Sequence, residues 1–272
     1  MSRWWDLVQA GMSLAGEVVI HAHTHMGPWF NFHIPGDPWA EGMVRTMDAV
    51  GVRSCITAPH VGIGPDMAEA NRLSTAAATR FPGRILAYCC ISPNASEEAI
   101  LRELDRLLLP RENPAALGIK IHPSTHAYPA NGSRYRPMWE FADAHGVPVL
   151  SHTWGGDPHS RPGLFREIAR EFPRVPILLG HSGGTWAGAD EALAAAAATE
   201  MLSCDLASSH LKQGLLERMV REIGSERIVF GSDLPFIDCR AQVGYVASAR
   251  ISDEDKRRIF GLNAARLFGI PV

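Results

Sequence analysis

The stretch Val175-Pro176-Ile177-Leu178-Leu179-Gly180-His181-Ser182 runs apolar without alternation and then stops on a glycine and two polar residues. A strand that is apolar on both faces suits a parallel sheet covered on both sides. The same shape recurs along the chain. Strands are predicted at Val18–His25, Ser54–His60, Ile85–Ser92, Gly118–Pro123, Pro148–Thr153, Pro176–Ser182, Met201–Ala207 and Ile228–Pro235. Between them lie helical patterns at Met43–Val50, Asp66–Phe81, Ser96–Leu109, Arg136–His145, Leu164–Phe172, Trp186–Thr199, Gln213–Ile223 and Ala241–Ala249, with Ser252–Phe268 closing the chain. Ser96 is placed to cap its helix, whose apolar face is Ile100, Leu101, Leu104, Leu107 and Leu108. Ser252 and Asp255 form a second N-terminal capping signal.

Strands that alternate with helices imply a parallel sheet with crossover connections. Units of this kind in 272 residues fit a closed (β/α)8 TIM barrel, α/β in class, as a single domain over residues 1–272. A doubly wound open sheet is the alternative, but no GxGxxG follows the first strand to support it.

Composition narrows the function classes. The formal net charge is −3, which argues against a general nucleic-acid binder, though not against a local basic patch. Cys55, Cys89, Cys90, Cys204 and Cys239 form no CxxC pair and read as reduced core residues of a cytosolic protein. Asp6, Gln9, Gly11 and Glu17 interrupt the apolar start, so no signal peptide is expected there. The Ala-rich stretch from Ala192 to Ala198 is too short to span a membrane. The expectation is a cytoplasmic protein without nucleic-acid or membrane partners.

The 12 histidines carry the functional signal through their position. The first predicted strand ends in His21-Ala22-His23-Thr24-His25, the fourth carries Lys120 and His122, and the fifth ends at His152. The sixth ends at His181 and the eighth at Ser232-Asp233. In a parallel barrel the C-terminal strand ends share one mouth, where the active site sits. Side chains two apart on a strand share a face at about 6.6 Å, so His23 and His25 can converge on one cation. Imidazole and carboxylate are good ligands for zinc and its neighbours. Each residue also has an ordinary reading: His181 as a hydrogen-bonded core histidine, Asp233 as a helix cap, Lys120 as a snorkelling rim lysine. Those readings would each have to fall by chance at a strand's C-terminal end.

Taken together, HAHTH, GIKIHP, GVPVLSHT, LLGHSGG, FGSDLP and the tail GLNAARLFG resemble the amidohydrolase superfamily, in its amidohydrolase 2 branch, over nearly the whole chain. The resemblance implies a metal-dependent barrel. By position, His23 and His25 match the HxH pair, His152 the strand-five ligand, and Asp233 the strand-eight ligand and proton shuttle. Lys120 matches the lysine that binuclear members carbamylate to bridge two ions, with His152 and His181 on the second ion. Many members of the branch bind one ion and use the strand-six histidine, here His181, as a catalytic base. One ion and two therefore stay open, with zinc the leading candidate. One departure stands out: the branch usually has Asp two residues before the first ligand histidine, and this chain has His21.

The resemblance leads first to a hydrolase of a small-molecule amide, lactone or ester-like bond, working through a metal-activated water. Asp233 would accept the proton, with His181 as a metal ligand or an acid/base. The first alternative is a metal-dependent decarboxylase of an aromatic or unsaturated acid, which needs a cation for its substrate. Arg53, Arg134 and Arg161 are candidates for that cation. The second is a metal-binding barrel without catalysis. His60, His122 and Trp154 are candidate substrate contacts, and Trp29, Phe30, Phe32 and His33 form a candidate lid. Trp4 and Trp5 form a candidate interface patch, which leaves a homo-oligomer open.

Overall fold

A computed structural model describes residues 2–272 except 32, 110, 111, 113 and 209. Phe32 of the candidate lid therefore lies outside the described residues. Eight strands form one sheet in chain order. They are β1 (Ile20–Met26), β2 (Ser54–Pro59), β3 (Ile85–Cys90), β4 (Gly118–Ile121), β5 (Val149–His152), β6 (Ile177–Gly180), β7 (Leu202–Asp205) and β8 (Ile228–Val229). Every neighbouring pair is parallel. The barrel closes where Ala22 N–H donates to Phe230 O at 2.9 Å and His25 N–H to Leu234 O at 2.7 Å.

The helices are α1 (Arg3–Gln9), α2 (Ala40–Val50), α3 (Met67–Arg80), α4 (Glu97–Leu108), α5 (Arg136–His145), α6 (Leu164–Glu171), α7 (Trp186–Ala197), α8 (Leu215–Ile223), α9 (Cys239–Ser248), α10 (Asp253–Arg257) and α11 (Asn263–Phe268). Ser96 Oγ accepts from Ala99 N–H at 3.2 Å, and α4 buries Ile100, Leu104, Leu107 and Leu108. Ser252 and Asp255 make the expected reciprocal cap. The closing helix is not continuous: a π segment, Arg258–Leu262, separates α10 from α11.

Except for β1, which runs one residue further, to Met26, the strands are shorter than expected at their C-terminal ends. β2 stops at Pro59 because His60 opens a 3-10 turn. β8 keeps only two residues, and the chain beyond it turns through Asp233 at φ 66° rather than running on to Pro235. Alternation sends Ile56, Leu150, Leu178 and Val229 into an inner cluster with Tyr88 and Phe268, while Cys55, Val149, Ile177 and Leu179 pack under the helices.

β1 breaks this alternation. Ile20 and Ala22 belong to the inner cluster, yet His23 and His25 also face the axis. The β1–β2 register shifts between His21 and Thr24, where β1 carries one extra residue. Such a bulge re-aims the side chains that follow it.

The segment before β1 forms α1, which the sequence reading did not include. Its Trp4 is buried and stacks on Phe260 at 4.6 Å. That packing withdraws Trp4 from the candidate interface patch. Trp4→Ala is expected to destabilise the fold by roughly 3–5 kcal/mol in equilibrium urea unfolding. A loss below about 1 kcal/mol would show that α1 is a dispensable cover.

Among the described residues, no helix is long and apolar enough to cross a membrane.

Candidate metal centre

The strand ends deliver their polar residues to one point. Ligand atoms of His23, His181 and Asp233 all lie within 4.8 Å of one another. His25 Nε2 is 3.5 Å from Asp233 Oδ1, and the rings of His152 and His181 are 4.6 Å apart, edge to face. From β4, Lys120 Nζ lies 2.8 Å from His23 Nε2. Two glycines make the space. A Cβ on Gly231 would stand 2.7 Å from His23 Cβ, and one on Gly180 would stand 3.1 Å from His23 Cε1.

Hydrogen bonds to Nδ1 of three rings decide which ring nitrogen carries the proton and which is bare. His25 Nδ1 lies 2.8 Å from Ala58 O and His181 Nδ1 lies 2.8 Å from Ala207 O. Carbonyls only accept, so Nδ1 holds the proton in both rings and Nε2 is bare. His23 Nδ1 pairs with the Asp205 carboxylate, which leaves its Nε2 bare as well. Asp205 is the residue that the sequence reading missed. It ends β7, and it also accepts from the backbone N–H groups of His181 at 2.7 Å and Ala207 at 3.0 Å. Burial pushes its pKa up to about 7, with His181 beside it pulling the other way.

Bare nitrogens and a carboxylate that converge in a buried space repel unless a cation joins them. Asp233 Oδ1 is buried without a hydrogen-bond partner, and so is His152 Nδ1. Burial pushes the Asp233 carboxyl up, but His181, His23 and His25 outweigh that and hold it well below the usual carboxylate range. Burial and the Lys120 charge hold His23 well below the usual imidazole range. Burial draws Lys120 down to about 8. This donor set fits a divalent cation. His181 and Asp233 also sit at φ 64° and 66°, a left-handed backbone unusual outside glycine and concentrated at functional sites.

A carboxylate behind a ligand histidine fixes its tautomer and raises its basicity. Asp205→Asn is therefore expected to weaken metal binding about 10- to 100-fold in a metal-buffered titration. Unchanged affinity would remove Asp205 from the site.

Above the cluster lies a cavity of about 290 Å³ whose walls include Trp29, His60, Ile63, His122, Trp154 and Phe236. All three candidate substrate contacts thus line one space with His25, His152, His181 and Asp233. His21 does not reach it, because the bulge leaves its Nε2 on Ser232 Oγ at 2.8 Å. The arginines do not reach it either. Arg53 is exposed beside the start of β2, Arg134 lies over the Tyr128 ring at 5.4 Å, and Arg161 pairs with Glu191 at 2.8 Å.

The chain belongs to the amidohydrolase family, whose family model, described as Amidohydrolase, matches residues 20–270. Among curated proteins it is similar to the gamma-resorcylate decarboxylase of Rhizobium sp. (strain MTP-10005). The two are 24% identical, over 86% of this chain and 91% of that protein. Among solved structures it is similar to 2,6-dihydroxybenzoate decarboxylase complexed with 2,6-dihydroxybenzoate, with TM-score 0.71, 18% identity and coverage of 93% and 99%. The 5-carboxyvanillate decarboxylase of Novosphingobium aromaticivorans, with manganese and 4-hydroxy-3-methoxy-5-nitrobenzoic acid, gives TM-score 0.73 at 15% identity, covering 94% and 97%.

These relatives overturn the expected hydrolase of an amide, lactone or ester-like bond, since they are decarboxylases. The expectation failed because one donor set of histidines and an aspartate serves both chemistries. Zinc is not confirmed as the ion, since manganese accompanies the Novosphingobium structure. Binding of a divalent metal is supported by the family and by the cluster itself.

Proposed function

We propose that the protein is a metal-dependent decarboxylase of a small hydroxylated aromatic acid. The observation that carries this reading is the cavity. It is walled by Trp29, Trp154 and Phe236, closes directly over the buried cluster, and belongs to a chain whose curated relatives are decarboxylases. Aromatic walls favour a flat ring, and the polar groups at one end fix its orientation.

In this reading His23, His25, His152 and Asp233 hold the ion. When bound, it supplies positive charge that orients and polarises substrate oxygens. A second ion, zinc and a carbamate on Lys120 are not needed. Asp205 and the carbonyls of Ala58 and Ala207 keep the ring nitrogens aimed. Asp233 and His181, whose Oδ2 and Nδ1 are 3.5 Å apart, are the groups placed to move a proton. The carboxyl-bearing ring carbon takes that proton. The bond to the carboxyl carbon then breaks, its electron pair returns to the ring, and carbon dioxide leaves. The proton donor is restored from solvent. A cytosolic location belongs to the same proposal and is supported by five buried, free cysteines.

The test offers chelator-stripped protein a panel of ortho-hydroxylated benzoates, with and without added manganese. Carbon dioxide release that depends on manganese is the expected result. Silence across the panel with metal fully bound would reject the reading.

A further inference from the structure

Two histidines on the cavity wall have their protons placed by the protein in opposite senses. His60 Nδ1 lies 2.8 Å from the Gly27 carbonyl oxygen. The carbonyl only accepts, so Nδ1 carries the proton and Nε2 is a bare acceptor. His122 is reversed. Its Nδ1 accepts from the Thr125 backbone N–H at 3.2 Å, with the Thr125 hydroxyl 2.9 Å away. A backbone N–H only donates, so Nδ1 is bare and the neutral ring holds its proton on Nε2. Packing fixes both rings: His60 stacks on His25 at 4.9 Å, and His122 stacks on His152 at 3.9 Å. Both line the same cavity as Trp29, Trp154 and Asp233.

We infer that His60 and His122 are the specificity-determining pair of this cavity, with His60 accepting a hydrogen bond from a ring hydroxyl and His122 donating one to the substrate carboxylate. The inference rests on the decarboxylase reading for the identity of the substrate. Among the described residues no lysine or arginine lines the cavity, so neutral donors must meet an anionic oxygen there. The His122 N–H is one whose direction the protein fixes, beside the Ser208 hydroxyl and the indole N–H groups of Trp29 and Trp154. The pair selects aromatic acids with a free hydroxyl. A methyl ether at that position would set an acceptor oxygen against the bare Nε2 of His60, leaving both without a hydrogen.

Calorimetric binding to manganese-loaded protein tests this with a hydroxybenzoate and its methyl ether. The wild type is expected to bind the hydroxyl acid about tenfold or more tightly than the ether. His60→Phe should erase that preference, and His60→Gln, whose amide oxygen accepts, should retain much of it. His122→Phe should weaken the hydroxyl acid by about tenfold or more, while His122→Gln, whose amide N–H donates, restores it. Nitrogen-15 spectra of ligand-free, metal-free protein read the protons directly: on Nε2 for His122 and on Nδ1 for His60, each assigned by its loss in the Gln variant. Equal affinity for the two acids, or reversed tautomers, overturns the inference. Expected discrimination without carbon dioxide release would sink the decarboxylase reading and leave the pair standing. Carbon dioxide release with Phe variants that discriminate like the wild type would do the reverse.

Discussion

Asp233→Asn is expected to retain substantial metal while turnover falls by roughly 10²–10⁴-fold, the scale of a lost acid–base group. The substitution keeps the size and one ligating oxygen. It removes the charge and the capacity to take and return a proton. The structure makes the distinction sharp, because Asp233 does two things at once. Its Oδ1 faces the bare Nε2 atoms of His23 and His25 at 3.2 and 3.5 Å, whereas Oδ2 faces the His181 ring. If coordination dominates, metal content and rate should fall together, and added metal should restore the rate. Metal content and rate measured on the same preparation separate the two roles. Full metal with unchanged turnover would refute both roles and leave His181 as the proton-transfer group.

His23→Ala is expected to lose most bound metal and nearly all turnover. No other candidate ligand is built into the site so thoroughly. Its ring is fully buried, Asp205 holds one nitrogen, and the other reaches both Asp233 and Lys120. The alanine would remove one donor from a small set and strand Asp205 as a buried carboxylate facing no imidazole. A purified variant with full metal and wild-type rate would dismiss the metal assignment. A variant that fails to fold would be replaced by His23→Gln, which keeps a polar partner for Asp205, with metal loss again the expected reading.

The barrel was legible because eight apolar runs alternate with amphipathic stretches, an order that calls for a parallel sheet. Eight such units in this length, with no GxGxxG after the first strand, favour the closed form over the open one. The mouth was legible for a related reason. The polar ends of β1, β4, β5 and β6, and the turn after β8, break otherwise apolar runs, and a buried histidine or lysine there is conspicuous. What escaped reading was what depends on local departures from regularity. The one-residue bulge in β1 carries no sequence mark, yet it turns His21 away and aims His23 and His25 inward. Asp205 stood alone at the end of β7, with no spacing to tie it to His23, a partner 182 positions away. Its one available signal was a carboxylate inside an apolar strand, the same signal that drew attention to Lys120. The choice between hydrolysis and decarboxylation was not legible from the ligands, because the walls of the cavity bear on that choice more than its floor. Those walls come from loops such as the ones carrying Trp29 and Phe236.

The most direct test of a metal-dependent decarboxylase follows both products of the bond cleavage in heavy water. An ortho-hydroxybenzoate carrying carbon-13 in its carboxyl group is incubated with manganese-loaded protein and followed by nuclear magnetic resonance. The account predicts labelled carbon dioxide and bicarbonate, with deuterium at the ring carbon that lost the carboxyl group, and no reaction after chelation. The labelled acid returned intact by fully metal-loaded protein, across a panel of ring-hydroxylation patterns, would contradict it.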